Sequence, residues 1–338
     1  MGTTATQGPT PLRRRTSALA AVWTALLAAG WALPTQAQPA LIYELGGKAD
    51  RSFNQAAFEG AERWRQASGG RYLEFEVSQS AQREQAARRF AERGASPVVA
   101  VGFPQAAAIS AVAREFPKTA FAIIDAVVDL PNVQSFVYRE HEGAFLVGML
   151  AALASKSGKI GFVGGMDIPL VRRFLCGYEQ GARHARPQVQ VLSAMSGSTP
   201  AAWIDPERGA ELTRSQIHQG VDVVFAAAGS TGLGILQAAR DGAILGIGVD
   251  SNQNHLHPGS VLTSLVKRVD LAVAQAFAGI VPGVSSLGLK EGGVGYALDA
   301  HNDKLVTAAM RQRVDAAREQ IIAGRLRVID YTAANACR

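Results

Sequence analysis

Short apolar runs alternate with helical patterns along nearly the whole chain, and this alternation restricts the fold more than any other feature. After a first run at 40–45, further runs fall at 95–102, 119–125, 134–138, 159–164, 189–193, 221–227, 244–250 and 261–265. Helical spacing fills the gaps at 55–67, 81–92, 105–115, 143–154, 170–185, 206–219, 232–239 and 270–277. Runs rich in Val, Ile and Ala with helices between them call for parallel strands covered on both faces, an α/β protein. Such units could close into one barrel. The break at 137–143 argues instead for two doubly wound lobes, because a strand there runs into Arg139-Glu140-His141-Glu142 before a new helix restarts the rhythm. The spacing predicts a first lobe from residues 38–139 with 252–283, and a second from 140–251 with 284–338. The Pro/Gly-rich stretch at 282–293 is read as a crossing between them. A last helix is expected over 304–324, with Gly324 as its C-cap.

The first 37 residues contain no acid, carry Arg13-Arg14-Arg15, and continue through an apolar run to Thr35-Gln36-Ala37. This is the pattern of a secretory signal peptide cleaved before Gln38, with an apolar stretch too short for a membrane span. No cysteine lies near the cleavage point, so a soluble exported protein without a lipid anchor is expected, periplasmic in a Gram-negative cell. Removing those three arginines from the 34 basic residues leaves 31 against 28 acidic ones. They are interleaved rather than gathered into a basic block, which gives no case for nucleic-acid binding. Roughly 300 residues at 48% hydrophobic content are enough for two modest cores. Cys176 and Cys337 are the only cysteines. In an oxidising compartment they could form one disulfide tying the C-terminal tail to the helix around Cys176, or stay free.

Candidate binding residues gather where strands end. Asp50-Arg51-Ser52-Phe53-Asn54-Gln55 follows the strand at 40–45 and opens a helix, and Ser52 with Gln55 fits a capping box. Phe53 is either the first core residue of that helix or a ring offered to a ligand. Two further strands end in a carboxylate, Asp125 and Asp250. Paired carboxylates suit neighbouring hydroxyls, as on a sugar, although each acid alone could be a loop or cap residue. Lys267 adds a cationic donor. The loop from Gly229 to Gly232 lacks the glycine order of a dinucleotide cradle and is read as a close backbone approach. Trp203 could stack on a flat ring or simply pack. His255 and His257 lack a third metal ligand and are read as solvated. Nucleophile-elbow, zinc-protease and P-loop motifs are absent from the sequence.

Together these segments resemble the basic membrane protein family, the purine-nucleoside-receptor type of ABC-transporter substrate-binding protein. The resemblance rests on Gly46-Gly47 with Asp50 to Gln55, on Phe121 to Asp125, on Arg139 to Gly148, on Ser155 to Gly165, on Gly248-Val249-Asp250, and on Thr263-Ser264 with Lys267 to Asp270. It implies a type I periplasmic-binding fold whose two hinged lobes close on a nucleoside. Phe53 would then stack on the base, Glu44 and Asn54 would meet its polar edge, and Asp125, Asp250, Lys267, Gly229 and Gly232 would hold the ribose, with Trp203 the aromatic of the second lobe. The family commonly has Asp where this chain has Glu44. No enzyme activity, cofactor or metal is expected. The expected partners are a small-molecule ligand and a membrane permease, with the receptor itself monomeric. The alternative is a periplasmic hydrolase cleaving nucleosides with Asp125 and Asp250 as catalytic carboxylates, which would lie about 5–10 Å apart.

Overall fold

The computed structural model describes residues 1–8 and 37–337. Residues 9–36 of the export signal expected over 1–37, including its apolar run, fall outside them. Among the described residues no helix is long and apolar enough to cross a membrane.

The first lobe begins β1 (Ala40–Tyr43), α1 (Phe53–Ser68), β2 (Leu73–Glu76), α2 (Gln82–Glu92), β3 (Val98–Val101), α3 (Ala106–Glu115), β4 (Phe121–Ile124), β5 (Val133–Tyr138). The second lobe runs α4 (Glu140–Ala154), β6 (Lys159–Met166), α5 (Pro169–Ala185), β7 (Gln190–Gly197), α6 (Pro206–His218), β8 (Val223–Ala227), α7 (Thr231–Asp241), β9 (Leu245–Asp250), β10 (Val261–Lys267). The chain then returns to the first lobe for α8 (Val269–Ala278) and β11 (Gly283–Leu287), and ends in the second with β12 (Val294–Tyr296), α9 (Ala308–Ile322) and α10 (Tyr331–Ala334).

Two six-stranded sheets result, ordered β2-β1-β3-β4-β5-β11 and β7-β6-β8-β9-β10-β12. All pairs are parallel except β10 with β12. Two open sheets exclude the single barrel. Each order reverses direction beside its first strand, between β1 and β3 and between β6 and β8, and ligands of such sheets bind outside the strand ends at that point. The central strands β1, β3, β4 and β8 are fully buried, as strands covered on both faces must be. In the second lobe α4 and α5 cross closely because a Cβ on Gly148 would lie 2.1 Å from the Tyr178 carbonyl oxygen, and one on Gly181 would lie 1.9 Å from that of Phe145.

The return to the first lobe expected after residue 251 does not occur there. β10 pairs with β9 and stays in the second sheet, so the return falls at Arg268, between Lys267 and Val269. Residues 284–287 likewise belong to β11 at the edge of the first sheet, not to the second lobe. Three crossings therefore lie side by side, with the Arg139 amide donating to the Leu287 carbonyl at 2.9 Å and the Arg268 amide to that of Gly293 at 2.8 Å. β2, β11 and β12 carry too little apolar pattern to be read from sequence. β11 (Gly-Val-Ser-Ser-Leu) is an edge strand held through its backbone ladder to β5.

Cys176, buried on α5, forms a disulfide with Cys337, their Cα atoms 5.3 Å apart. The same tail is gripped by Gln180, whose amide donates to the Ile329 carbonyl at 3.0 Å and accepts from its N–H at 2.8 Å. A disulfide of this kind is expected to contribute about 2–4 kcal/mol, the typical range for such bridges. Cys337→Ser should accordingly lower the melting temperature in non-reducing buffer, and reductant should lower that of the parent to match. Equal melting with and without the bridge would mean that Gln180 and its neighbours hold the tail unaided.

Candidate functional site

Strand ends of both lobes face one another across a cavity of about 200 Å³. At the head of α1 the expected capping box is not formed, because Ser52 makes no cap with its side chain. Asp50 does that work: Oδ1 accepts from the amides of Ser52 (2.8 Å) and Gln55 (3.0 Å), and Oδ2 from that of Asn54 (2.9 Å). Burial raises the Asp50 carboxyl, and these N–H groups offset only part of that rise. The Ser52 hydroxyl, released from capping, crosses the cleft to Asp250 Oδ2 at 2.7 Å. Asn54 borders the cavity, but its amide is paired to the end of β1, accepting from the Glu44 N–H and donating to the Glu44 carbonyl, both at 3.1 Å. It fixes where Glu44 stands.

One pole of the cavity is built on Lys267. Its ammonium is buried, 2.6 Å from Asp125 Oδ2 and 3.0 Å from Glu140 Oε1, with the Phe53 ring 5.1 Å and the Tyr138 ring 4.8 Å away. Burial works against this charge, but Asp125, Glu140 and Asp250 outweigh it and raise the lysine's pKa. The other Asp125 oxygen, Oδ1, is buried without a hydrogen-bond partner. Asp125 follows β4 and Asp250 ends β9, equivalent strands of the two sheets, and both adopt left-handed backbone, φ 67° and 64°. Non-glycine residues enter that region at a cost that clusters at functional sites. Burial lifts the Asp250 carboxyl to about 6 against the pull of Lys267. Behind this pole Arg173 reaches Glu140 and Asp330, each at 2.9 Å.

The opposite pole is the ion pair of Glu44, after β1, with Arg83 on α2. Between the poles the second lobe supplies Met166, Leu170, Phe174 and Trp203, with Gly229 and Ser230 beside them. Trp203 packs closely against Gly165, where a Cβ would sit 2.3 Å from the ring.

Nine of the ten residues expected from sequence border this cavity. Gly232 does not; it sits inside α7 facing Ala226, and only the Gly229–Ser230 end of that loop reaches the cavity. Sequence reasoning missed Arg83, hidden in an ordinary charged helix, and Phe174 with Leu170, whose one-turn spacing on α5 was the available signal.

The family profile described as ABC transporter substrate-binding protein, PnrA-like, matches residues 40–329. The chain belongs to this family. It is 30% identical over 309 residues to the "ABC transporter nucleoside-binding protein BmpA" of Lactococcus lactis subsp. cremoris, covering 83% of this chain and 87% of that one. Basic membrane protein A of Borreliella afzelii is also 30% identical, covering 81% and 86%. Among solved structures, an ABC transporter solute-binding protein from Aeropyrum pernix K1 superposes with a TM-score of 0.78 at 28% identity, over 87% and 93% of the chains. One from Conexibacter woesei reaches 0.71 at 26% identity, over 87% and 99%. Members of such families bind small molecules and hand them to a membrane permease.

The raised Asp250 carboxyl has a thermodynamic consequence. A group whose folded pKa (about 6) exceeds its unfolded value (3.8) favours folding when protonated, so its contribution is lost as pH rises between those values. The cost at neutral pH is about 3 kcal/mol, as an order of magnitude. Asp250→Asn keeps an acceptor for Ser52 and tolerates left-handed backbone. It should raise the melting temperature at pH 7 and flatten the decline between pH 4 and 6. A lower melting temperature at pH 7 would show that the charge is stabilising through Lys267.

Proposed function

We propose that the protein captures a purine nucleoside between its lobes, in the periplasm after removal of an export signal, and delivers it as a monomer to the permease of an ABC importer. The observation that carries this reading is the two-pole cavity. In the first sheet β3 separates β1 from β4, so Glu44 and Asp125 stand two strand spacings apart, about 10 Å. That span suits a ligand with a hydroxyl-bearing end and a flat polar end. Asp125 Oδ1, buried and without a partner, is an acceptor for a ribose hydroxyl, with Asp250 and Lys267 beside it. Phe53 on one lobe and Trp203 on the other supply apolar faces for the base. The name of the Lactococcus relative, a nucleoside-binding protein, agrees with this reading.

A ligand touching both lobes favours the closed arrangement by its differential affinity, and closure is what a permease distinguishes. In a thermal-shift screen of nucleosides, bases, sugars and amino acids, a nucleoside at 100 times its Kd should add about 2.7 kcal/mol of stability. Chromatography of the same mixtures should show no free base; its release would establish the hydrolytic alternative, with Asp250 as acid.

Phe53→Ala tests the ring directly. Loss of base stacking, about 1–3 kcal/mol, should weaken nucleoside binding between ~5- and 150-fold by calorimetry, with little change in melting temperature. A large drop in melting temperature with unchanged affinity would make Phe53 a core residue.

A further inference from the structure

We propose that Arg83 makes this site select purine nucleosides carrying an oxo group at C6 over adenosine, an inference that rests on the nucleoside reading above. Arg83 stands on α2 with its side chain 12% exposed and borders the cavity beside Glu44, 13% exposed. Its Nε donates to Glu44 Oε2 at 3.0 Å and Oε1 at 3.2 Å, and Nη2 also donates to Oε1. Among the described residues Nη1 donates to no protein acceptor, unlike the guanidinium of Arg88 on the same helix, which uses both Nη groups on Glu84 and Glu115. Lys267, the other cation of the cavity, is already paired with Asp125 and Glu140. The free hydrogen-bonding capacity of the Glu44 pole is therefore weighted toward donors.

A planar guanidinium matches two adjacent acceptors and presents no acceptor of its own. The outer edge of a 6-oxopurine carries such a pair, O6 beside N7, whereas adenine carries an N6 amino group beside N7 and would set donor against donor. Both Glu44 oxygens already accept from Arg83, and Phe103 and Pro104, which continue the wall from Gly102, bring apolar side chains. With the ribose held at the Asp125 pole, the C6 substituent, which lies across the base from the glycosidic nitrogen, meets Arg83, with N7 along the same side.

Calorimetric titration of the full mature chain with inosine, purine riboside and adenosine tests this assignment. Inosine should bind ~10- to 100-fold more tightly than adenosine, the discrimination a well-placed bidentate donor provides. Purine riboside, without a 6-substituent, should fall between them. Arg83→Gln should bring inosine and adenosine to within a few-fold, mainly by weakening inosine. Because that change strands the Glu44 charge, the double variant Glu44→Gln/Arg83→Gln serves as the second probe, with the same equalisation expected and folding checked by melting. Adenosine binding as tightly as inosine, or both weakening by one common factor in the variants, would overturn the role of Arg83 while leaving a nucleoside receptor. Failure of every nucleoside to bind would overturn the nucleoside reading and this inference together.

Discussion

A buried ammonium at the junction of the lobes organises everything around it. Lys267 ends β10, the last strand before the chain returns to the first lobe, and takes a carboxylate from each side, Asp125 after β4 and Glu140 at the head of α4. A lone buried cation would be costly, and breaking such a pair is strongly destabilising. Charge therefore holds the strand ends in register where apolar packing cannot, since a ligand cleft has to keep polar groups facing inward. Glu140 is in turn fixed by Arg173, and Arg173 by Asp330 near the disulfide-anchored tail. One continuous chain of alternating charge runs from the cavity to the C-terminal tail.

Much of the architecture is legible in the sequence because both sheets are buried on both faces. Strands such as Val98–Val101 and Val223–Ala227 must then be uniformly apolar, and the helices between them must be amphipathic. Edge strands escape this rule. Leu73–Glu76 alternates over only four residues, and Gly283–Leu287 is mostly exposed. The second crossing was misplaced for a related reason: residues 250–254 have turn chemistry and do contact the first lobe, through Ser251 to the Ser52 carbonyl at 2.7 Å and Gln253 to that of Arg51 at 2.8 Å. Contact between lobes is not a change of lobe, and only strand pairing distinguishes them.

Within the site, residues at strand ends were readable and residues on helix flanks were not. Asp125 and Asp250 stand out because a carboxylate closes an apolar run. Arg83 and Phe174 are ordinary members of helical patterns until the fold aims them at the cavity. Asn54 and Asp50 show the converse: polar groups at a helix start look available to a ligand, yet Asp50 caps α1 and Asn54 clamps β1. The two sheets share a strand order, and their matched acids are used differently. Asp125 is ion-paired with Lys267, whereas Asp250 accepts a serine hydroxyl from the opposite lobe.

The order in which the chain visits the two lobes also bears on how it is made. The first sheet has five of its strands by Tyr138, but its edge strand β11 and the covering helix α8 are encoded after all of β6 to β10. As the chain emerges from the ribosome, the first lobe is left with an unfinished edge and an uncovered flank while more than a hundred residues of the second are still being synthesised. A truncated product ending near Lys267 would carry that open edge permanently. Strand order alone thus delays closure of the first sheet until most of the second lobe has been made.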